Sequence, residues 1–478
     1  MGEKFSLKTL GNSLNVTVGV PKKKSARNSL KQITFGSILE ISNILNLSNR
    51  QTISLCANLR KSLGQNMVEA NVTNKINDLC TSLESFYTVH SDTFSCGDNI
   101  EKRDIVFARN TSDLVMHILH ARGLDPQTAL IRIAIDSGQG FLKVIINVFD
   151  PSEKHSTSVL DDAGVKRSLI LALVEDVPEN NNNLSKILAT LKLDQVQFKA
   201  AFDLKCTNAL FGISCHSGKY SCLWCKGPCE LEPGPKRTLS SIDNYYQKYL
   251  TDGCPKLKMK DYKNCIAPRL LYLEDSGESL LEEKVPLPEL HIFIGIISLF
   301  VKILLSLWPE FENWLKSKYI MFRGYHGIGL DGNNSKRFLE KIDDLKLQIL
   351  SKGVIEPKIN QLLPILDCLN KFSVIKRKSF GSEIEDGIEE AVEDFKISFT
   401  NLQAHLSHYY SYDLKPTWKV HILVCHLIPF IKYHAYGLGV YAKQAGESAH
   451  HYHGEIQKMY KPQRLWSAIK IKCCSIWC

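Results

Sequence analysis

The chain has 478 residues and a formal net charge of +9 at pH 7. A hydrophobic fraction of 44% and a charged fraction of 23% are typical of globular proteins, which excludes a mainly disordered chain or a small disulfide-stapled scaffold. Fifteen cysteines, an odd number, and an N-terminus without a basic-then-apolar leader argue against an extracellular disulfide framework. We therefore expect reduced thiols or metal ligands.

The positive charge is concentrated at the two ends of the chain. The first sixty residues hold nine Lys and Arg against two acidic residues, and the last twenty add four basic residues and no acid. The residues between them carry a net charge of −2. Basic ends suit a chain that contacts a polyanion with its extremities, although a solvated terminal arm explains the same pattern.

The N-terminal part divides into two predicted regions. Residues 1–32 are polar and include PKKKSAR, which predicts a flexible basic arm and is also typical of a nuclear-localisation signal. In residues 33–125 apolar side chains recur at spacings of three and four, as at Ile38, Ile41 and Ile44. This periodicity predicts a helical N-terminal region.

Residues 126–215 have the pattern of an α/β domain. Two predicted strands, Leu130–Ile135 and Leu142–Phe149, flank a glycine turn at Gly138 and Gly140. SLILALVED predicts a third strand, KILATLKL a helix, VQFKAAF a fourth strand and LKCTNALFGI a further helix. This order favours the first part of a ribonuclease-H-like core.

The remaining sequence predicts a long helical insertion. Residues 216–435 form a mainly helical, zinc-bearing insertion, and residues 436–478 a closing catalytic helix, running from about 440 to 460, and a basic tail. The helices of the insertion are predicted at 289–308, 335–350, 356–371, 383–405 and 416–434. The apolar run Ile292–Val301 is too short to span a bilayer, so we expect a buried helix and no membrane association.

Two aspartates follow predicted strands. Asp136 closes the first strand before a glycine turn, and Asp203 follows the fourth strand at the start of a helix. Each has a structural explanation, as a turn aspartate or as a helix N-cap. Because the first and fourth strands are neighbours in a ribonuclease-H-like sheet, the two carboxylates are also candidate ligands of Mg²⁺.

A third carboxylate is expected from the last helix. Glu447 lies among small residues in QAGES, which would let a helix approach a sheet closely. Glu455 is a competing candidate on the same predicted helix, and a surface glutamate of an amphipathic helix is the structural alternative.

Cysteine and histidine pairs predict a zinc site. Cys222 and Cys225 form a C-x-x-C pair, and His421 and His426 form an H-x4-H pair. Together they supply the Cys₂His₂ set that suits a closed structural Zn²⁺ site. Cys229 and His216 are possible substitutes within the cysteine loop.

The order and spacing of these features resemble the catalytic subunit of the V(D)J recombinase and its relatives, the Transib-type DNA transposases. Nineteen residues separate Asp203 from Cys222, and 21 separate His426 from Glu447. Further similarity lies in GKYSCLWC around the cysteines, GLDGNNSKRFL at 329–339 and QAGES around the glutamate. The resemblance covers roughly residues 130–460 and is weaker in the helical middle.

The resemblance implies a nuclear transposase or recombinase that cleaves and joins double-stranded DNA, gripping transposon ends as a homodimer. Its chemistry would be two-metal-ion catalysis of phosphodiester displacement. The implied ligands of Mg²⁺ or Mn²⁺ are Asp136, Asp203 and Glu447. The implied ligands of Zn²⁺ are Cys222, Cys225, His421 and His426.

Departures from the family keep other interpretations open. A zinc-ring segment is not recognisable at the N-terminus, and the sequence ends 31 residues after Glu447, which also fits a truncated or decayed transposon copy or a host-recruited protein. The main alternative is a catalytically silent, zinc-stabilised DNA-binding or interaction protein of the same fold. A zinc hydrolase is disfavoured, because four protein ligands would close the metal site.

Overall fold

The chain is described here by a computed structural model. The described residues are 3–9, 12–18, 32–44, 49–75, 78, 85–138, 140–150, 168–193, 196–214, 218–271, 278–322, 329–350 and 356–441. In this part of the chain the fold is mixed α/β, with a six-stranded mixed sheet and many helices.

The first described element is a β-hairpin. Strands β1 (Glu3–Thr9) and β2 (Asn12–Val18) pair in antiparallel fashion. The prediction of a flexible arm over residues 1–32 was therefore wrong for this stretch. Apolar residues alternate with polar ones in both strands and oppose each other in the register, as at Phe5 and Val16, which is the pattern of a strand pair.

A small helical unit follows the hairpin. Helices α1 (Phe35–Ile44) and α2 (Asn49–Leu63) precede a short 3₁₀ turn at Gln65–Met67. A separate buried cluster holds this unit together, comprising Ile38, Cys56, Val68 and Val72.

Six strands form the central sheet. They are β3 (Tyr87–Cys96), β4 (Asn99–Ala108), β5 (Leu130–Gly138), β6 (Phe141–Phe149), β7 (Ser168–Glu175) and β8 (Lys199–Ala200). Their spatial order is β3-β4-β7-β6-β5-β8. Every neighbouring pair is antiparallel except β5 and β8, which are parallel.

The hairpin β3–β4 corrects the prediction that residues 33–125 are helical. It extends the sheet beyond β7, where Ile105 pairs with Val174. Most side chains of β3 are exposed or half-buried, and the fully buried ones are Tyr87 and Phe94. Because so few positions face the core, the apolar alternation of these strands is weak, while the helical periodicity on either side of them is strong.

Twelve further helices surround or extend the sheet in the described part of the chain. They are α3 (Thr111–Arg122), α4 (Asn181–Leu191), α5 (Leu204–Leu210), α6 (Leu239–Thr251), α7 (Leu281–Lys284), α8 (Glu289–Leu307), α9 (Phe311–Ser317), α10 (Gly332–Leu339), α11 (Ile342–Leu350), α12 (Glu356–Ser379), α13 (Ile388–Tyr410) and α14 (Trp418–His434). The predicted helix 356–371 ended eight residues too early, because the buried Phe372 and Ile375 continue its apolar face.

Helix α8 lies at the centre of the helical region. It is 19 residues long, and its most apolar window has a mean hydropathy of 2.3, so by length and composition it is long and apolar enough to cross a membrane. It packs against α10, α12 and α14, and Phe293 and Phe300 contact the rings of Phe372 and Phe399. These contacts are those of a core helix, as the sequence predicted.

The pairing of β5 with β8 brings the first and fourth predicted strands together. Ile133 is level with Ala200 in the register, and the Ala201 amide donates to the Ile133 carbonyl oxygen at 2.8 Å. Asp136 and Asp203 each lie three residues beyond this pair. Asp203 follows the end of β8, and Asp136 lies two residues before the end of β5, so both aspartates lie toward the same end of these neighbouring parallel strands.

The hairpin β3–β4 provides a test of the corrected fold. Phe94 is 1% exposed and belongs to the main core, so Phe94→Ala should lower the free energy of unfolding by about 3–5 kcal/mol. Ile100 is 77% exposed in the same hairpin, and Ile100→Ala should change it by less than about 0.5 kcal/mol. Urea unfolding followed by circular dichroism measures both changes, and equal effects would show that the hairpin does not contribute to the core.

Candidate metal centre

Two cysteines and two histidines meet in a buried cluster. The side chains of Cys222, Cys225, His421 and His426 are at most 1% exposed, and their candidate ligand atoms all lie within 4.8 Å of one another. The Cys222 Sγ is 3.3 Å from the His426 Nε2, and the Cys225 Sγ is 3.4 Å from the His421 Nε2. The sequence predicted this set of four residues, and the cluster could hold a metal ion such as zinc.

The distances fit tetrahedral coordination. Zinc bonds of about 2.3 Å to sulfur and about 2.0 Å to nitrogen place tetrahedral ligand atoms about 3.3–3.8 Å apart. The two sulfur–nitrogen distances of 3.3 and 3.4 Å lie in this range, as does the 3.4 Å distance between the Nε2 atoms of His421 and His426.

In both histidines the Nδ1, the ring nitrogen that points away from the cluster, hydrogen-bonds to an oxygen atom, which leaves the Nε2 to bind a cation. The Nδ1 of His421 is 2.6 Å from the Glu230 carbonyl oxygen, and the Nδ1 of His426 is 2.5 Å from the Glu282 Oε1. Both oxygens are acceptors, so each Nδ1 carries the donated proton. In a neutral ring the Nε2 then presents a lone pair to the cluster, where it can accept a hydrogen bond from a cysteine thiol or coordinate a metal ion.

The cysteine loop is a tight backbone turn that aims both sulfurs inward. Cys225 forms an antiparallel bridge with Lys236, and the Lys226 amide donates to the Pro235 carbonyl oxygen at 2.7 Å. The strands of the turn approach most closely at Gly227 and Gly234, where an added Cβ would come within 2.3–2.8 Å of the opposite backbone. Glycine is required at both positions because no side chain fits there.

A buried arginine fastens the same loop. Arg237 is completely buried, and its Nε donates to the carbonyl oxygens of Cys222 at 2.9 Å and Cys225 at 3.0 Å. Its Nη2 donates to the carbonyl oxygens of Tyr220 and Lys263, each at 2.9 Å. One guanidinium group thus satisfies four carbonyl groups around the two cysteines, a geometry that the planar fork of arginine allows.

Glu282 is a functional residue that the sequence reasoning missed. It lies on the short helix α7, is 2% exposed, and contacts the His426 Nδ1 through Oε1. Its Oε2 forms an ion pair with the Lys236 Nζ at 2.5 Å. Burial disfavours a charge on His426, but hydrogen bonds with Cys225 and Glu282 outweigh it and raise the histidine pKa. Glu282 therefore orients His426 and increases its basicity.

The thiols of the cluster have opposed pKa shifts. A hydrogen bond from Cys222 lowers the pKa of the Cys225 thiol, whereas burial raises the pKa of Cys222. Zinc binds cysteine as the thiolate, so both thiols would lose their protons to a bound ion.

Cys229, one of the two predicted substitute ligands, is not among the four residues of the cluster. Cys229 donates from its Sγ to the Pro416 carbonyl oxygen at 3.2 Å, and burial raises its pKa to about 12. His216 lies outside the described residues.

The sequence predicted that Asp136 closes its strand, but β5 continues for two more residues, to Gly138. It is half-buried and pairs with Lys143 of β6 in the register. Lys143 is 1% exposed; burial lowers its pKa to about 8, and the nearby Asp136 carboxylate opposes that shift. A cationic neighbour therefore faces this carboxylate.

Asp203 caps helix α5. Its Oδ1 accepts a hydrogen bond from the Cys206 amide at 2.6 Å, which confirms the structural interpretation of this residue. Its carboxylate is half-buried at the same end of the sheet as Asp136. Glu447 and its competitor Glu455 lie outside the described residues.

Removal of one cysteine tests the centre. We expect about one zinc ion per wild-type chain, and Cys222→Ser should abolish it and lower the melting temperature, because metal binding contributes directly to folding. Metal content is measured by inductively coupled plasma mass spectrometry. Cys254 is exposed, so Cys254→Ser should retain the metal and the melting temperature. Retention of zinc by Cys222→Ser would contradict the assignment.

Neighbouring glutamates of α7 test the role of Glu282. Glu282→Gln should weaken zinc binding by about 10–100-fold, because the hydrogen bond that orients His426 loses its charge. Glu283 is the adjacent, half-buried residue, and Glu283→Gln should bind zinc as the wild type does. Competition with a chromophoric chelator measures both affinities. Equal affinities for the two variants would show that Glu282 has no influence on the metal.

Comparison with known protein families finds no match for this chain, and comparison with curated proteins finds no significant relative.

Proposed function

We propose that this protein is a transposon-derived DNA transposase or recombinase with a ribonuclease-H-like core, cleaving and joining DNA phosphodiesters with divalent cations. The observation that carries the proposal is the parallel pairing of β5 with β8, in which Asp136 and Asp203 each follow the paired residues Ile133 and Ala200 by three positions, toward the same end of the sheet. Two carboxylates at that edge are hard oxygen ligands of the kind that Mg²⁺ and Mn²⁺ bind.

The strand order supports the proposed core. Strands β5, β6 and β7 are consecutive and antiparallel, and the chain then passes through helix α4 to β8, which returns beside β5. The spatial order β7-β6-β5-β8 is the arrangement that a ribonuclease-H-like domain requires of its first four strands. Strands β3 and β4 extend this arrangement at the β7 edge.

The end of the described chain returns to the same sheet. The Arg132 Nη1 donates to the Val440 carbonyl oxygen at 3.1 Å, so residue 440 lies against β5. Glu447 follows only seven residues later in the sequence. Seven residues of chain can span up to about 23 Å, which exceeds the roughly 13 Å along β5 from Arg132 to Asp136, so Glu447 is within reach of the other two acids as the third carboxylate of the proposed set.

The metal centre contributes to this arrangement by positioning helix α14. Cys222 and Cys225 follow α5, the helix that Asp203 caps, and His421 and His426 lie on α14, which leads to Val440. A zinc ion in the cluster would therefore tie the segment after Asp203 to the segment before Glu447. When bound at the three acids, the divalent cations would activate a water or a 3′-hydroxyl and stabilise the leaving oxygen.

The proposed partners and location follow from the same function. The basic ends of the chain would contact double-stranded DNA at transposon ends, with a homodimer holding two ends, and the protein would act in the nucleus. Phosphate contacts by Lys and Arg would make this binding strongly dependent on salt concentration.

A second candidate function is a catalytically silent DNA-binding or interaction protein of the same fold. The observation that favours it is Lys143, a buried cation that faces Asp136 across β5 and β6. In addition, one Asp203 oxygen already accepts the Cys206 amide. Both carboxylates thus have partners within the protein when no metal ion is bound.

Nicking of a terminal-inverted-repeat duplex in the presence of Mn²⁺ distinguishes these functions. Asp203→Asn is the sharpest variant, because asparagine is as good an N-cap as aspartate but lacks the charge that binds a cation. We expect Asp136→Asn, Asp203→Asn and Glu447→Gln each to reduce the nicking rate by at least about a hundredfold, which removal of one transition-state interaction of about 2.7 kcal/mol would cause. Gel electrophoresis of end-labelled DNA measures the rate.

Asp176 provides the matched control. Asp176 is an exposed residue that directly follows β7. Its backbone amide donates to the carbonyl oxygen of Gly140, just before β6, so it lies at the same end of the sheet as Asp136. Asp176→Asn should nick DNA at the wild-type rate. Absence of nicking by the wild type, together with DNA binding that all three acid variants retain, would establish the silent alternative instead.

A further inference from the structure

A groove lies near the starts of β5 and β8, at the end of these strands opposite to the end that carries Asp136 and Asp203. It has a volume of about 690 Å³, which is within the range of about 300–1,000 Å³ found for ligand sites. Its walls come from the segments that enter β5 and β8, from the end of α7 and from the end of α14.

The groove carries concentrated positive charge. Lys199 and Lys284 both line it, and none of its described lining residues is acidic. Burial and the neighbouring charge of Lys284 lower the pKa of Lys199. Arg132 is directly paired with Lys199 in the sheet register, which adds a third cation beside the groove. Like charges at paired positions are unfavourable, so a bound anion would stabilise this arrangement.

His434 also lines the groove and contributes no charge at neutral pH. Burial and the Lys199 charge lower its pKa to about 4, and its Nε2 donates to the Glu282 carbonyl oxygen at 3.2 Å. The positive charge of the groove therefore belongs to the lysines.

Exposed aromatic rings lie beside these cations. Tyr433 is 55% exposed and Tyr436 is 38% exposed, and both line the groove. The buried Tyr441 and His434 pack against each other behind them, with ring centroids 5.2 Å apart. Solvent-exposed rings on a firm support, next to lysines, match the requirements for stacking a nucleobase while binding its phosphate.

We propose that this groove binds a single strand of nucleic acid, with phosphates on Lys199 and Lys284 and a base stacked on Tyr433 or Tyr436. The bases of an intact duplex are stacked on one another, so a duplex would use the lysines but not the rings. The groove is separate from the proposed catalytic residues, because Arg132, which lies beside the groove, and Asp136 are four residues, or about 13 Å, apart along β5. Binding here requires no catalysis.

Fluorescence anisotropy of the full chain with a labelled single-stranded oligothymidine tests the proposal. At about 100 mM salt, the double variant Lys199→Gln with Lys284→Gln should bind at least about tenfold more weakly. The same variant should flatten the dependence of log affinity on log salt by about 0.7 for each phosphate that it no longer neutralises. Tyr433→Leu with Tyr436→Leu should weaken single-strand binding by about tenfold or more, since stacking contributes about 1–3 kcal/mol for each base, and should leave duplex binding nearly unchanged.

Exposed residues elsewhere on the surface serve as matched controls. Lys415 has an 80% exposed side chain and Tyr319 is 80% exposed, and Lys415→Gln and Tyr319→Leu should bind as the wild type does. Equal weakening by groove and control variants would overturn the proposal. So would stronger competition by polyglutamate or by inorganic phosphate than by unlabelled oligothymidine, because the groove would then select an anion without a base.

Photocrosslinking provides a second measurement that needs no variant. An oligonucleotide containing 5-iododeoxyuridine should crosslink to Tyr433 or Tyr436 in the wild-type chain, as read by peptide mass spectrometry. Crosslinks confined to other regions would overturn the assignment. The variant Asp136→Asn should crosslink like the wild type, so failure of the groove proposal and failure of the proposed catalysis give different results.

Discussion

Two parts of the chain that are 196 residues apart meet in one buried cluster of two thiols and two imidazoles. Without a metal ion each thiol can donate to one imidazole nitrogen, whereas a bound cation would satisfy all four groups, because their ligand atoms converge within 4.8 Å of one another. With a metal ion bound, the same convergence becomes a cross-link between the cysteine loop and helix α14. A bound ion would therefore fix α14, and the chain that follows it toward the sheet, relative to the cysteine loop.

The surroundings of the cluster are built for this role. Arg237 occupies the carbonyl groups behind both cysteines, and Glu282 holds His426 from the side away from the cluster. Glu282 also connects the centre with the groove that Lys199 lines, because its carbonyl oxygen accepts a hydrogen bond from His434, which lines the same groove. The centre, the groove and the end of α14 are therefore parts of one packed region.

Sequence patterns predicted the features that depend on residues close together in the chain, and missed those that depend on contacts between distant residues. Apolar runs identified β5, β6 and β7, with a glycine turn between the first two, and ligand-type spacing identified the four residues of the cluster. The hairpin β3–β4 was not predicted, because most of its residues are exposed or half-buried and its apolar alternation is weak. Glu282 lies 144 residues from its partner His426, and one of two adjacent glutamates in LEEK has no pattern that indicates a partner so far away. The same holds for Arg237, whose role depends on backbone carbonyl groups that no residue type encodes.

X-ray absorption at the zinc edge tests the central claim most directly, since it measures the ligands of the metal in the folded chain. Two sulfur ligands at about 2.3 Å and two nitrogen ligands at about 2.0 Å are the result that the Cys₂His₂ centre predicts. A first shell with only three protein ligands and a bound water would contradict a closed structural site. Absence of zinc from a correctly folded chain would contradict the cross-link itself.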